Sequence, residues 1–130
     1  MNLLLDTHVF LWYISADPKL PERFRTAIED PSNQVYFSTA SVWEAVIKHG
    51  LGKLALPAPP ASYLPKQREV HGISSLPILE DVMGRLEQLP MLHRDPFDRL
   101  LVVQALQHGL SMVTVDPSIS AYQVNLLSEK

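Results

Sequence analysis

Short apolar runs alternate with longer amphipathic segments along the chain, and this pattern is typical of strands that alternate with helices. Strands are predicted where an apolar run is short and ends abruptly, at 2–5, 35–37, 73–76 and 111–115, with a last edge strand at 124–127. Helices are predicted over 7–16, 21–30, 39–48, 66–71, 78–89 and 95–108. The alternation predicts an α/β protein in which helices cover both faces of a central, mainly parallel sheet.

The stretch between the second and the later strands is largely helical and contains a proline-rich segment at 56–65. Proline at this density predicts a loop or a bent start to the helix that follows. We expect this part of the chain to form a protruding helical arm. Because no repeat, low-complexity tract or domain boundary is visible, residues 1–130 are predicted to form a single domain.

Composition narrows the class of protein. Hydrophobic residues make up 46% and charged residues 19% of the chain, which indicates a globular protein. The absence of cysteine excludes disulfides and thiolate zinc sites. No apolar run approaches the ~18 residues of a membrane span, and no signal peptide is visible, so we expect a cytoplasmic protein without a membrane segment. A net charge of −3 argues against a broad basic surface for nucleic acid, but permits an enzyme that meets phosphates through metal ions.

Four acidic residues are predicted to meet at one edge of the sheet. Asp6 directly follows the first strand and Asp116 follows the strand at 111–115. Glu44 and Asp98 lie in early turns of helices that should pack on the sheet. Since active sites of open α/β sheets lie beyond the carboxyl ends of the strands, all four side chains could reach the same place.

Two of these acids stand in apolar surroundings. Glu44 interrupts the run 40–47, which is otherwise nearly all apolar and therefore predicts a buried helix. Asp98 heads a helical stripe of core residues formed by Leu101, Val102 and Ala105. A buried carboxylate is costly unless it is paired or bound to a metal ion, so both positions favour a functional role.

Helix capping is the alternative explanation for each acid. Asp6 precedes a helix, Asp116 precedes a proline, and Ser41 with Glu44 matches a capping box. Asp98 follows an aspartate and a proline in the same cap pattern. Serine, threonine and asparagine cap as well as aspartate does, so capping alone does not account for four acids at one edge. The two roles are compatible, because a helix N-terminus keeps a carboxylate ionised.

Four motifs in this order resemble the PIN-domain family, and more closely the VapC-type toxins of bacterial toxin–antitoxin pairs. HRDPFDRLLVVQA is the most distinctive of them. The motifs are LLLDTH at 3–8, STASVWEAVIKHGLGKL at 38–54, HRDPFDRLLVVQA at 93–105 and MVTVDP at 112–117.

The resemblance implies a three-layer α/β/α fold and a metal-dependent ribonuclease that is the toxin of a toxin–antitoxin pair. It implies Mg²⁺ or Mn²⁺ as cofactor, RNA as substrate, a homodimer and inhibition by a cognate antitoxin protein. By motif, the catalytic and metal-binding residues fall on Asp6, Glu44, Asp98 and Asp116. Thr114, two residues before the last acid, falls where the family often has serine or threonine.

Carboxylate oxygens suit Mg²⁺ or Mn²⁺, which would activate a water molecule and neutralise the charge that develops at the phosphate. We expect Asp6 and Asp98 to be the principal metal ligands and Asp116 to complete their shell. Glu44 would bind a second ion or orient the attacking water. Asp95 is a further acid of the third motif, ranked below Asp98 because its position fits a helix cap.

Several other side chains are accessory candidates. His93, Arg94 and Arg99 flank the acids and could meet phosphates, while Arg99 could equally pair with a carboxylate. Lys48, with its basic neighbours His49 and Lys53, is interpreted as a solvated helix end. His8 is interpreted chiefly as a helix-surface residue. Tyr63 and Leu64 are predicted to face the antitoxin.

Three other functions compete with this interpretation. A phosphatase with Asp6 as nucleophile would require a second aspartate two residues later, where this chain has His8. A catalytically silent PIN-fold binding module would have no need of all four acids. A PIN-fold nuclease of RNA processing or DNA repair is the third alternative, against which the small size of the chain favours the toxin.

Overall fold

A central sheet of four parallel strands organises the protein. The computed structural model describes all residues from Met1 to Lys130. The strands are β1 Asn2–Leu5, β2 Gln34–Ser38, β3 Ser74–Leu76 and β4 Ser111–Val113. They lie side by side in the order β3-β2-β1-β4, and every pair is parallel. The predicted α/β architecture with a parallel sheet is therefore confirmed.

Six helices connect and cover the strands. They are α1 Thr7–Ile14, α2 Glu22–Glu29, α3 Thr39–Gly50, α4 Pro60–Val70, α5 Val82–Gln88 and α6 Pro96–His108. A 3₁₀ turn at Pro117–Ala121 follows β4. The proline-rich segment supplies the start of α4. Pro60 is the first residue of this helix, where a proline loses no helical hydrogen bond, whereas Pro65 lies inside it. No helix combines the length and the hydropathy that a membrane crossing requires.

The core consists of two apolar layers, one on each face of the sheet. Strand β1 contributes to both, because successive side chains point to opposite faces. Leu3 and Leu5 pack in the first layer with Phe10 and Phe24, whereas Leu4 packs in the second layer with Leu101 of α6. The arrangement is the predicted three-layer α/β/α sandwich.

The helical stretch after β2 forms the pair α3 and α4, which pack on each other. Leu64 of α4 is fully buried in the first core layer, and Tyr63 is half-buried against it. The prediction that Leu64 faces a partner protein is therefore wrong, because its side chain anchors α4 to the sheet. Leu54 and Leu56, in the loop before α4, are partly exposed beside it.

The outer edge of β4 differs from the prediction. Residues 124–127 form one bridge to β4 and not a strand. The backbone N–H of Met112 donates to the carbonyl of Asn125 at 2.8 Å, and the N–H of Leu127 donates to the carbonyl of Met112 at 2.9 Å. The predicted strand at 124–127 is therefore wrong in extent, although this segment does cover the edge of β4.

Candidate active site

The four acids that the sequence places at one edge of the sheet line one open cavity of about 290 Å³. Asp6 comes directly after β1, Asp116 lies three residues after β4, and Glu44 and Asp98 reach the cavity from α3 and α6. The full lining is Asp6, His8, Trp12, Glu44, Lys48, Asp95, Asp98, Val115 and Asp116. Five of these nine side chains are carboxylates, so the cavity is suited to a cation.

Asp6 occupies the N-cap position of α1 but makes no side-chain cap hydrogen bond. Its Oδ2 instead accepts a hydrogen bond from the hydroxyl of Thr114 at 2.7 Å. The same hydroxyl accepts from the backbone N–H of Asp116 at 3.0 Å. Burial raises the pKa of the Asp6 carboxyl, and the bond from Thr114 opposes that rise. Thr114 therefore holds Asp6 beside Asp116.

Glu44 is almost completely buried, with 3% of its surface exposed. Its Oε1 accepts a hydrogen bond from the hydroxyl of Thr7 at 2.7 Å, and its Oε2 accepts one from Nζ of Lys48. The helix cap of α3 is Ser38, whose Oγ accepts from the N–H of Ala40 at 3.0 Å. The capping-box interpretation of Glu44 is therefore wrong, since its carboxylate is turned to the cavity.

Asp98 is the most strongly perturbed acid of the site. Burial raises its pKa to about 6, helped by the negative charges of Asp95, Asp6 and Glu44, while a hydrogen bond to His93 lowers it. Nε2 of His93 lies 2.8 Å from Oδ2 of Asp98. A carboxylate whose charge costs this much gains from a metal ion, because the ion compensates the buried negative charge.

Two acids of the cavity do act as caps. Oδ1 of Asp95 accepts from the N–H groups of Phe97 at 2.9 Å and Asp98 at 3.2 Å, at the start of α6. Oδ1 of Asp116 accepts from the N–H and the hydroxyl of Ser118, and these bonds lower the pKa of Asp116. Both caps use Oδ1 only, so Oδ2 of each carboxylate is left for a further partner. Capping and metal binding are thus compatible at these positions.

His93 is a candidate ligand that sequence reasoning weighed only as a phosphate contact. A nitrogen of its ring and a carboxylate oxygen from each of Asp98 and Asp116 all lie within 4.8 Å of one another. Imidazole nitrogen is a common metal ligand, although Mg²⁺ and Mn²⁺ are bound chiefly by oxygen. The sequence does show a histidine two residues before Asp95. It does not show that the chain bends before α6 so that the imidazole contacts Asp98.

Arg99 and Lys48 differ from their predicted roles. The Arg99 guanidinium is buried and donates to the carbonyls of Pro90 and Leu89 and to the hydroxyl of Tyr122. It ties the end of the preceding loop to α6, so the prediction of a phosphate or carboxylate contact is wrong. Lys48 is not a solvated helix end, because its amino group is paired with Glu44 in the cavity.

The donor set fits a hard divalent cation. The carboxylates of Asp6, Glu44, Asp98 and Asp116 supply oxygen ligands. Burial raises the pKa of Asp6 and of Asp98, and Glu44 is also buried, so a bound cation would compensate negative charge that is costly to bury. Oxygen-rich sites of this kind suit Mg²⁺ and Mn²⁺. The cavity is open to solvent, which leaves room for water and for a phosphate group.

The fold and the cavity together define a class: three-layer α/β/α proteins with a carboxylate cluster at the carboxyl edge of a parallel sheet. The family model described as "PIN domain" matches residues 3–125. The chain therefore belongs to the PIN-domain family.

Similar proteins carry related names. The chain is 26% identical over 123 residues to "Ribonuclease VapC22" of Mycobacterium tuberculosis, a match that covers 94% of this chain and 92% of that protein. It is 41% identical over 54 residues to "Ribonuclease VapC16" of the same organism, where the match covers 42% of this chain and 38% of that protein.

The fold is also similar to that of solved structures. One is VapBC2 from Rickettsia felis bound to a DNA fragment from its promoter, with a TM-score of 0.71 and 15% identity over 98% of both chains. A second is FitAcB from Neisseria gonorrhoeae, with a TM-score of 0.63 and 23% identity over 98% of this chain and 97% of that chain. At these identities the likeness concerns the fold.

Proposed function

We propose that this protein is a Mg²⁺- or Mn²⁺-dependent endoribonuclease that hydrolyses phosphodiester bonds of RNA. The observation that carries the proposal is the cavity at the carboxyl edge of the sheet, into which four separate elements bring Asp6, Glu44, Asp98 and Asp116. The similarity to two proteins named as ribonucleases supports RNA as the substrate class.

The residues of the cavity have separate roles in hydrolysis. Asp6 and Asp98 are the principal metal ligands, Asp116 completes their shell, and Thr114 fixes the orientation of Asp6. A bound divalent ion supplies an activated water and neutralises charge that develops at the phosphate. Glu44 either orients the attacking water or shares in cation binding.

RNA and DNA of the same sequence give a direct test of the substrate class. We expect the purified protein with Mn²⁺ to cut single-stranded RNA at internal positions and to leave the DNA intact. The readout is the length of the products on a denaturing gel, compared with a Glu44→Gln variant that has lost one carboxylate of the cavity. Cleavage of DNA with RNA left intact would contradict the proposal.

We further propose that the protein is the toxin of a toxin–antitoxin pair, acting in the cytoplasm as a homodimer of single-domain chains spanning residues 1–130. An apolar groove of about 250 Å³ gives a place for the antitoxin. It adjoins the acidic cavity, since His8 and Trp12 line both, and it includes Leu54, Leu56 and Tyr63. A protein segment in this groove could therefore also obstruct the cavity.

Co-expression with the product of a neighbouring small gene tests this partner. We expect growth arrest by the chain alone, relief by the small protein, and a stable complex of the two. Ala55→Glu places a charge in the apolar groove and should weaken the complex, whereas Ala61→Glu, on the exposed surface of α4, should leave it intact. A chain that does not slow growth and copurifies with no product of that gene would count against the toxin assignment.

A further inference from the structure

Lys48 is the single lysine or arginine among the residues that line the acidic cavity. Its side chain is 37% exposed, while that of its partner Glu44 is 4% exposed. The amino group of Lys48 therefore lies between the buried carboxylate of Glu44 and the solvent-exposed part of the cavity. Four other carboxylates line the same space, and the positive charge of Lys48 faces this excess of negative charge.

Both oxygens of Glu44 already have partners in the protein. Thr7 donates to Oε1 and Lys48 donates to Oε2. Between exposed side chains, a pair four residues apart on a helix contributes little to stability. Here one partner is buried, so the lysine compensates a charge that would otherwise be costly. A divalent ion that used Oε2 would have to displace the lysine, and the two cations therefore compete for this atom.

We propose that Lys48 is a further active-site residue, and this inference rests on the ribonuclease function proposed above. Without substrate, Lys48 is the cation that neutralises Glu44. During cleavage its amino group binds a non-bridging oxygen of the scissile phosphate. A lysine is suited to both contacts because its charge is compact and its four-carbon chain is flexible. Arg99 follows Asp98 in the sequence but is not available to bind the phosphate, because its guanidinium already donates to backbone carbonyls and to Tyr122.

If Lys48 has this role, its removal should change metal affinity and the rate of cleavage in opposite directions, which the loss of a purely structural lysine would not do. Removing the charge takes away a competitor for metal ions and also takes away a contact to the phosphate. Metal affinity should therefore rise while the rate of cleavage falls. Loss of a merely structural contact would disturb the cavity and would lower both quantities, or would change neither.

Lys48→Gln is the variant of choice, because glutamine keeps a hydrogen-bond donor for Glu44 and removes the charge. Mn²⁺ binding is measured by calorimetry without RNA, and cleavage of single-stranded RNA is measured at saturating Mn²⁺. We expect the Kd for Mn²⁺ to fall roughly tenfold, as loss of one nearby positive charge predicts. We expect kcat to fall roughly 100-fold, the scale of losing one charge-stabilising contact in a transition state.

Two comparisons complete the experiment. Lys53→Gln makes the same change of charge at an exposed position outside the cavity and should match the wild type in both measurements. Lys48→Arg retains the charge and should recover most of the wild-type metal affinity. Lys48→Met removes the donor as well and should reproduce the direction of both changes seen with glutamine.

The proposal is overturned if Mn²⁺ binds Lys48→Gln no more tightly than it binds the wild type, or if cleavage at saturating metal is unchanged. Calorimetry needs no RNA, so it reports on the competition at Glu44 even for a protein that fails to cut RNA. A wild-type chain without ribonuclease activity, but with tighter Mn²⁺ binding in Lys48→Gln, would refute the proposed function and the phosphate contact while leaving the competition at Glu44 in place.

Discussion

Asp98→Asn is expected to reduce RNA cleavage by roughly three orders of magnitude at saturating Mn²⁺. Asparagine preserves the size of the side chain and can still accept the hydrogen bond from His93, but it removes the negative charge that a metal ligand contributes. The expected loss therefore reports on metal binding and transition-state charge and not on folding. Initial rates on a fluorescent single-stranded RNA measure it.

Asp6→Asn is expected to give a loss of similar size, because Asp6 is the other principal ligand. Asp30→Asn is the matched control, since Asp30 is exposed and lies before β2, at the opposite edge of the sheet. Its activity should equal that of the wild type. If both cavity variants retained most of their activity, the acids would not be the ligands on which cleavage depends.

The second large effect concerns stability. In EDTA at pH 7, Asp98→Asn is expected to be more stable than the wild type by about 1 to 2 kcal/mol, after allowance for screening by solvent. The cause is the pKa of Asp98, which burial raises from 3.8 to about 6 on folding. The folded protein thus binds the proton more strongly than the unfolded chain, so wild-type stability falls as pH rises from about 4 to about 6. The difference in stability between the variant and the wild type should therefore appear over the same pH range.

Metal ions should reverse the order of the two proteins. A ligand that binds only the folded state stabilises it by about 2.7 kcal/mol at 100 times its Kd. Millimolar Mn²⁺ should therefore raise the melting temperature of the wild type and leave that of Asp98→Asn nearly unchanged. Thermal unfolding with EDTA and with Mn²⁺ measures both values.

A capping role gives a different pattern. Asp95→Ala should cost about 1 kcal/mol with or without metal, and Asp95→Asn should cost little, because asparagine caps as well as aspartate does. Asp98→Asn should follow the metal-dependent pattern and not this one. A wild-type melting temperature indifferent to Mg²⁺ and Mn²⁺ alike would remove the support for a metal site.

The sheet and its acidic edge could be predicted because both depend on local sequence. Strand β1 is an apolar run that stops at Asp6, so the position of the acid follows from the end of the strand. Glu44 stands alone among apolar neighbours, and a carboxylate in such a helix predicts a special role. The cap prediction was also right for Asp116, where proline fixes the next turn.

The contacts that the sequence did not reveal depend on side-chain direction and on segments that meet across the fold. Asp98 and His93 are five residues apart, yet their contact requires the loop before α6 to bend back. Arg99 is one residue from Asp98 but points to carbonyls outside the cavity. Leu64 lies in the proline-rich segment that the sequence predicts to be a loop or a bent helix start, and only the packing of α4 on the sheet buries it.

RNA cleavage in the carboxylate cavity is expected to require a divalent ion. The most direct test of this requirement is the initial rate of RNA cleavage by the wild-type protein in excess EDTA, followed by addition of Mn²⁺ or Mg²⁺ in excess of the chelator. We expect no cleavage above background in EDTA and recovery of the rate once the metal is added. Full activity in excess EDTA would contradict this expectation.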